Sequence, residues 1–235
     1  MISLATFVTP PHDCAYRPGE AAQMRYEIVE SLSVDEYHQR LQAGWRRFGH
    51  SLFKPQCPQC TACQSLRVDL RAFQPDRSQK RAWKANVDVT RFVIEPQVTT
   101  ESLNLYDRFH NAQHERIGWP DRGEKDPDDY LESFALNPVP TQEWQYRTAD
   151  GQLLGVGYID QLPDGLSAIY FFHDPDERDR SLGTFNVLNV IAAAAEQGLP
   201  YVYMGYYVAG CRSLEYKARF RPNQVLTAGA WQAYR

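Results

Sequence analysis

The chain has 235 residues, of which 43% are apolar and 23% are charged, and its formal net charge is −4 at pH 7. This composition is typical of a folded globular protein rather than a disordered one, and the length predicts one large domain or two small ones. The sequence contains no apolar run of about 18 residues, so no transmembrane helix is expected. The N-terminal residues lack the basic and apolar regions of a signal peptide, so we expect a cytoplasmic protein.

The first half of the chain predicts short strands and capped helices. We expect a strand at 24–30, a helix at 33–43, a strand at 67–73 and a helix at 78–84. Ser33 and Glu36 have the spacing of a capping box, and Gly44 predicts the end of that first helix. Pro96 and the threonines after it predict a boundary between an N-terminal domain, 1–95, and a C-terminal domain, 96–235.

The second half predicts a strand-rich domain with a long helix inside it. We expect helices at 100–116, 128–136 and 181–197, and strands at 143–147, 153–160, 167–173, 201–207 and 225–231. Asp150-Gly151 and Pro163-Asp-Gly165 are hairpin signals, which make the middle strands antiparallel. A strand that follows the helix of 181–197 can pair in parallel, so the pattern predicts an α+β domain with one mixed sheet.

Positive charge is concentrated in one part of the chain. Residues 40–91 contain eleven Lys and Arg but only three Asp, whereas the whole chain is acidic. Within this stretch Arg77, Lys80, Arg81 and Lys84 have the spacing that places them on one helix face. Cations close to Phe73 and Trp83 suit phosphates and unstacked bases. The charge asymmetry therefore indicates a polyanionic partner, for which nucleic acid is the first candidate.

Three cysteines follow one another at three-residue spacing, as Cys57, Cys60 and Cys63. Zinc or an iron–sulfur cluster would need a fourth ligand, for which Cys14 is the first candidate and His50 the second. An odd total of five cysteines argues against a disulfide scaffold. The alternative is that these thiols are small buried apolar side chains.

Two further segments suggest a ligand site in the second half. A strand, a loop and a helix start meet at Ser181-Leu-Gly183-Thr184, where free backbone N–H groups bind anions. The tyrosine-rich segment 203–222 contains Gly205 and Lys217 and suggests a strand that opens beside a ligand.

The chain as a whole resembles a known enzyme family. The resemblance rests on these segments: Gly44-Trp-Arg-Arg-Phe-Gly, Cys57-Pro-Gln-Cys-Thr-Ala-Cys-Gln-Ser-Leu-Arg67, Ser78-Gln-Lys-Arg81, Asp164-Gly-Leu-Ser-Ala-Ile-Tyr170, Asp174-Pro-Asp, Ser181-Leu-Gly-Thr-Phe, Tyr203-Met-Gly-Tyr and Tyr216-Lys217. They are similar to the bacterial aminoacyl-tRNA–protein transferases, specifically the aspartate/glutamate leucyltransferases, which are related to eukaryotic arginyl-tRNA–protein transferases. The resemblance implies a GNAT-like C-terminal domain and a smaller α+β N-terminal domain carrying the cysteine cluster. It also implies transfer of leucine from leucyl-tRNA to proteins that begin with Asp or Glu, which marks them for degradation.

The resemblance leads to expected roles for individual side chains. The acceptor arm of the tRNA would bind Arg77, Lys80, Arg81 and Lys84, and its 3′ end would bind Ser181, Gly183 and Lys217. The aminoacyl or adenosine pocket would consist of Tyr170, Tyr206 and Tyr216. Asp160 and Asp174 are the candidate catalytic residues, with turn capping as the alternative. The acidic side chain of the acceptor protein would bind Arg17, Arg46 or Arg47.

Three questions stay open at this level. Eukaryotic relatives carry a C-x-x-C where this chain has Cys14-Ala-Tyr-Arg17, so the metal and its identity are both open. An acetyl-CoA-dependent acetyltransferase and a non-enzymatic zinc module that binds nucleic acid are the competing functions. The donated residue is leucine by resemblance, with arginine or phenylalanine as the alternatives.

Overall fold

The computed structural model describes residues 1–234, which form an α+β fold. The first part of the chain contains β1 (Ile2–Val8), β2 (His12–Asp13), β3 (Ala21–Ala22), β4 (Met24–Ser31), α1 (Val34–Gln42), β5 (Arg46–Phe48), β6 (Ser51–Pro55), β7 (Gln64–Asp69), α2 (Arg77–Lys84) and β8 (Thr90–Ile94). The second part contains α3 (Thr100–Ile117), α4 (Pro127–Tyr130), a π-helical turn (Leu131–Ala135), β9 (Thr141–Arg147), β10 (Leu153–Leu162), β11 (Gly165–His173), α5 (Leu182–Glu196), β12 (Tyr201–Tyr207), α6 (Arg212–Glu215), β13 (Asn223–Thr227) and β14 (Ala230–Ala233).

The strands form one small and one large sheet, with β2 and β3 as a separate pair. The small sheet has the order β1-β4-β6-β5, and the large sheet has the order β14-β13-β7-β12-β11-β10-β9-β8. In the large sheet β11 and β12 are parallel and the other neighbours are antiparallel. The prediction of an α+β fold with a mixed sheet is thus confirmed. Strands β7 and β8 belong to the large sheet, so the predicted boundary after residue 95 does not separate the two sheets.

Helices cover both faces of the large sheet. One core joins α5 to the sheet through side chains such as Phe185, Val190 and Val202. A second core joins α3 to the opposite face through Tyr106 and Phe172. None of the helices within residues 1–234 is long and apolar enough to cross a membrane.

A third core fixes the small sheet and α1 against the large sheet. Tyr37 of α1, Leu52 of β6 and Tyr203 of β12 are buried together in it. The predicted capping box holds α1, because the backbone N–H of Glu36 donates to Ser33 and the Glu36 carboxylate accepts from the Ser33 N–H. This packing brings the short strand β5 next to the middle of β11, where the candidate site lies.

Candidate active site

The two parallel strands at the centre of the large sheet separate partway along their length. They pair only over Gly165–Ser167 of β11 and Tyr201–Tyr203 of β12. Just beyond that point Gly205 has a φ of +80°, and the pairing of β12 with β7 shifts in register. Glycine adopts this left-handed conformation without the steric cost that other residues incur. The sheet therefore opens a cleft between β11 and β12, and Gly205 lies at its start.

Two cations from distant parts of the chain meet at this glycine. Arg46 of β5 is 6% exposed, and its Nη2 donates to the Ala168 carbonyl of β11 over 2.9 Å. Lys217 Nζ donates to the Tyr206 carbonyl of β12 over 2.8 Å. A Cβ on Gly205 would lie 3.5 Å from Arg46 Nη2 and from Lys217 Nζ. Each cation is thus anchored on one of the two separating strands.

The Arg46–Lys217 pair has no acidic partner within residues 1–234. Burial and the neighbouring Arg46 lower the pKa of Lys217 to about 7, and the nearby Cys211 opposes that shift. Buried charges are normally paired, because desolvating an isolated ion is costly. Two adjacent cations without a carboxylate therefore form a site that favours the entry of an anion.

A row of aromatic side chains lines the cleft on the side of the small sheet. Tyr170 of β11 packs on Phe48, Phe48 on Phe53, and Phe53 on Tyr206, with ring-centre distances of 5.8, 5.4 and 6.4 Å. Tyr206 Oη donates to the Gly44 carbonyl over 3.0 Å. The structure thus brings together the predicted pocket residues Tyr170 and Tyr206. The third, Tyr216, is 36% exposed, and within residues 1–234 no ring contact connects it to this row.

The basic helix α2 ends beside the turn that starts α5. Asn86 Nδ2 donates to the Arg180 carbonyl over 2.7 Å, and the Arg180 guanidinium pairs with Asp88 over 2.8 Å. Ser181 has a φ of 52° and precedes the first residue of α5. A Cβ on Gly183 would meet no atom within 4 Å, so the helix start is open. We call residues 178–184 the Ser181 turn.

The cations predicted to bind tRNA lie on the outer face of α2. These exposed side chains are Arg77, Lys80, Arg81 and Lys84. Within residues 1–234 none of the four forms an ion pair. Together with the Ser181 turn they form one continuous region, whereas Lys217 lies at the cleft beside Arg46.

Two predicted substrate contacts are corrected by the structure. Asp160 and Arg47 are 0% and 1% exposed in their side chains and form an ion pair, with Arg47 Nε 2.9 Å from Asp160 Oδ2. Arg47 also donates to Asn137 over 2.7 Å and to Thr141 over 2.6 Å. Since neither charged group reaches solvent, neither is available to a substrate, and the pair instead joins β5 to β10.

The structure also separates the two predicted catalytic residues, Asp160 and Asp174. Asp160 is paired with Ser167, whereas the Asp174 N–H donates to the Leu154 carbonyl. The two positions on β10 are therefore about 20 Å apart, at about 3.3 Å per residue. Asp174 is buried, pairs with Arg108 over 2.7 Å and accepts from the Asp176 N–H over 3.0 Å. These contacts match the turn-capping alternative.

Comparison with known proteins identifies the family. Residues 12–81 match the family model described as "Arginine-tRNA-protein transferase, N terminus", and residues 101–227 match the one described as "Arginine-tRNA-protein transferase, C terminus". The chain belongs to the arginine-tRNA-protein transferase family. The family resemblance predicted from sequence is therefore confirmed.

Relatives in this family match over almost their whole length. An aspartate/glutamate leucyltransferase of Alkalilimnicola ehrlichii is 38% identical over 97% of this chain and 95% of its own. One of Hahella chejuensis is 37% identical over 97% of both chains. Among solved structures, the C-terminal domain of a putative lysylphosphatidylglycerol synthetase from Agrobacterium fabrum aligns with a TM-score of 0.49 at 14% identity, covering 95% of this chain and 82% of that one.

The cysteines predicted as ligands lie near one another without forming a ligand set. Burial first, and then the nearby Cys14, Cys57, Cys60 and Cys211, raise the pKa of Cys63 to about 12. Within residues 1–234 no three Cys, His, Asp or Glu side chains are arranged to hold a metal ion. As arranged here the thiols do not fit a zinc or iron–sulfur site, and the metal stays a prediction.

Two further predicted residues, Arg17 and His50, make other contacts. Arg17 is exposed and approaches Cys60, with Nη1 3.8 Å from Sγ. The second metal candidate, His50, is hydrogen-bonded through Nδ1 to the Val29 carbonyl over 2.8 Å.

Sequence reasoning missed one polar contact and two rings of the cleft. His110 of α3 is hydrogen-bonded through Nε2 to Tyr170 Oη over 2.8 Å, and burial lowers its pKa. Phe48 and Phe53 were not predicted as lining residues. The Gly44–Gly49 motif contains Phe48 and was the only signal that this segment has a special role.

Proposed function

We propose that this chain transfers leucine from leucyl-tRNA to the α-amine of proteins that begin with Asp or Glu, in the cytoplasm. Relatives named aspartate/glutamate leucyltransferase support this over nearly the whole chain. The observation that carries the proposal for this chain is the Arg46–Lys217 pair at the start of the cleft. A transferase that selects acidic N-termini needs cations at the acceptor position, and within residues 1–234 these two have no acidic partner.

The donor would approach along the α2 face. Exposed cations on α2 would contact phosphates of the acceptor arm, and the helix start at the Ser181 turn would bind a phosphate near the 3′ end. From there the aminoacyl end would enter between β11 and β12. The aromatic row from Tyr170 to Tyr206 offers an apolar wall, which suits leucine better than the charged side chain of arginine.

The acceptor would be held by its acidic side chain. A carboxylate placed between Arg46 and Lys217 would accept hydrogen bonds from both and would relieve the repulsion between them. Its charge would also raise the pKa of Lys217 and keep that amine protonated. The neighbouring α-amine of the acceptor would then face the cleft.

The chemistry needs little help from acid or base groups, because the ester is already activated. A terminal α-amine has a pKa of about 8, so a useful fraction is neutral at pH 7. Its lone pair attacks the leucyl carbonyl carbon, a C–N bond forms and the C–O bond to the ribose breaks. The amine loses a proton and the ribose oxygen gains one. Holding the two reactants together contributes about 7–11 kcal/mol.

The direct test follows radiolabelled amino acids from charged tRNA to peptides. We expect leucine to pass to peptides that begin with Asp or Glu and not to a matched peptide that begins with Ala. Arginyl-tRNA and phenylalanyl-tRNA serve as the competing donors, and acetyl-CoA serves as the donor of the alternative acetyltransferase. Equal transfer to the Ala peptide, or transfer from acetyl-CoA alone, would contradict the proposal.

A further inference from the structure

We propose that the groove between α2 and α5 holds an unpaired base from the single-stranded 3′ end of the tRNA, stacked on Trp83. This proposal rests on the proposed function, because it places part of the same donor. We call this feature the Trp83 groove. It goes beyond the phosphate contacts of α2, since it assigns a site to a base.

The groove is an apolar opening on the protein surface. It has a volume of about 320 Å³, which is near the lower end for clefts that bind small ligands. Its apolar walls are Phe73, Pro75, Trp83, Leu188, Ile191 and Ala192. Trp83 is 44% exposed, and its ring packs on Phe185 at 5.6 Å with a tilt of 59°. One side of the indole is thus held by the protein while much of the ring is accessible.

The positive charges near the groove favour a nucleic acid as its occupant. Lys80 lines the groove, and Arg77, Arg81 and Lys84 lie on the same helix without an ion-pair partner within residues 1–234. A second copy of this chain docked through the same face would bring like charges together, which is unfavourable. Aromatic platforms flanked by cations are the usual means of binding single-stranded nucleic acid.

The position of Trp83 suits the 3′ end rather than another part of the tRNA. Phe185, on which Trp83 packs, lies in the first turn of α5, and its N–H donates to the Ser181 carbonyl over 3.0 Å. The groove therefore begins beside the Ser181 turn. A strand whose phosphate binds at that turn can place a neighbouring base on the indole before its terminal nucleotide enters the cleft.

The experiment measures the Kd of deacylated tRNA for leucine at several salt concentrations. Stacking on an aromatic side chain contributes about 1–3 kcal/mol per base, so Trp83→Ala is expected to raise Kd about 5- to 150-fold. Because stacking is not ionic, the slope of log Kd against log salt is expected to stay unchanged. Lys80→Ala is expected to lower that slope by about 1. Trp83→Phe is expected to restore most of the affinity.

A truncated tRNA assigns the effect to the 3′ end. On a tRNA that lacks its unpaired 3′ nucleotides, Trp83→Ala is expected to have no further effect on Kd. The matched control is Phe92→Ala, since Phe92 is 48% exposed but lies on the edge strand β8. An unchanged Kd for Trp83→Ala, or an equal loss on the truncated tRNA, would overturn the proposal. So would a dimer of the unmodified protein that Trp83→Ala converts to a monomer.

These outcomes are distinct from a failure of the proposed function. If the unmodified protein does not transfer leucine from leucyl-tRNA, the donor itself is wrong. If it transfers leucine and Trp83→Ala binds tRNA normally, only the base site is wrong.

Discussion

Arg46 Nη2 and Lys217 Nζ both lie 3.5 Å from the point that a Cβ on Gly205 would occupy. One side chain comes from the small sheet and the other from the segment after α6, and both donate to carbonyls of the separating strands. Both cations therefore lie beside Gly205, at the place where β11 and β12 separate. In the proposed function, this convergence would select an acidic acceptor.

The pH dependence of transfer is expected to reflect Lys217. Burial and the neighbouring Arg46 lower the pKa of Lys217 to about 7, so Lys217 loses its positive charge as the pH rises. The α-amine of the acceptor peptide has a pKa of about 8 and becomes reactive as the pH rises past that value. The kcat/KM for an Asp peptide is therefore expected to peak at about pH 7.5. In Lys217→Arg the alkaline fall is expected to disappear. An identical alkaline limb in this variant would assign the titration to another group.

The buried positive charge of Lys217 is expected to lower the free energy of unfolding. Its pKa is lower in the folded state than its ordinary value of 10.5, so the folded state binds fewer protons between about pH 7 and pH 10.5. Stability should then rise with pH across that window. Lys217→Met removes the buried charge and is expected to add about 0.5–2 kcal/mol at pH 7, with a smaller gain at pH 10. Thermal unfolding at both pH values measures this, and a loss of stability at pH 7 would contradict the desolvation of Lys217.

Replacing Gly205 separates backbone strain from the function of the cleft. Gly205→Ala is expected to cost about 1–2 kcal/mol, because a left-handed conformation is unfavourable for alanine. It would also place a methyl group against both cations and raise the KM for the acceptor peptide. Gly229 has a similar φ of +79°, and a Cβ there would meet no atom within 4 Å, so Gly229→Ala is the matched control.

The comparison of these two glycine variants uses urea unfolding and peptide kinetics. Both variants are expected to lose similar stability, and only Gly205→Ala is expected to lose peptide affinity. Equal KM values for the two variants would show that Gly205 does not border the acceptor site.

The Asp160–Arg47 pair is expected to affect stability rather than catalysis. Breaking a buried ion pair by removing one charge costs about 3–5 kcal/mol, so Asp160→Asn should lower the midpoint of urea unfolding. The fraction that remains folded at low temperature should transfer leucine with an unchanged kcat. A large fall in kcat of a fully folded Asp160→Asn protein would restore the catalytic role that sequence suggested.

Local signals in the sequence predicted the elements that depend on neighbouring residues. The capping box at Ser33 and the long apolar helix after Ser181 follow from spacing and caps. The predicted strand at 225–231 is instead the hairpin of β13 and β14, because Ala228-Gly229 turns the chain with two positive φ values and has no strong turn signature. Strands β5 and β6 are short and were not predicted.

The centre of the candidate site depended on long-range packing, which local patterns do not encode. Arg46 and Arg47 are neighbouring residues of the same type. Because side chains alternate along β5, Arg46 lies at the cleft, whereas Arg47 is buried against Asp160. Nothing in the motif distinguishes them. The meeting of Arg46 with Lys217 likewise requires the small sheet to dock on the large one.

The most direct measurement compares kcat/KM for matched peptides that begin with Asp and Asn, in the unmodified protein and in Arg46→Met. In the proposed complex Arg46 pairs with the carboxylate of the acceptor peptide. Removing one partner of such a buried charge pair costs about 2–5 kcal/mol, so Arg46→Met is expected to lower kcat/KM for the Asp peptide about 30-fold or more. Transfer to the Asn peptide is expected to change little, so the preference for Asp largely disappears. An unchanged ratio between the two peptides would contradict the account.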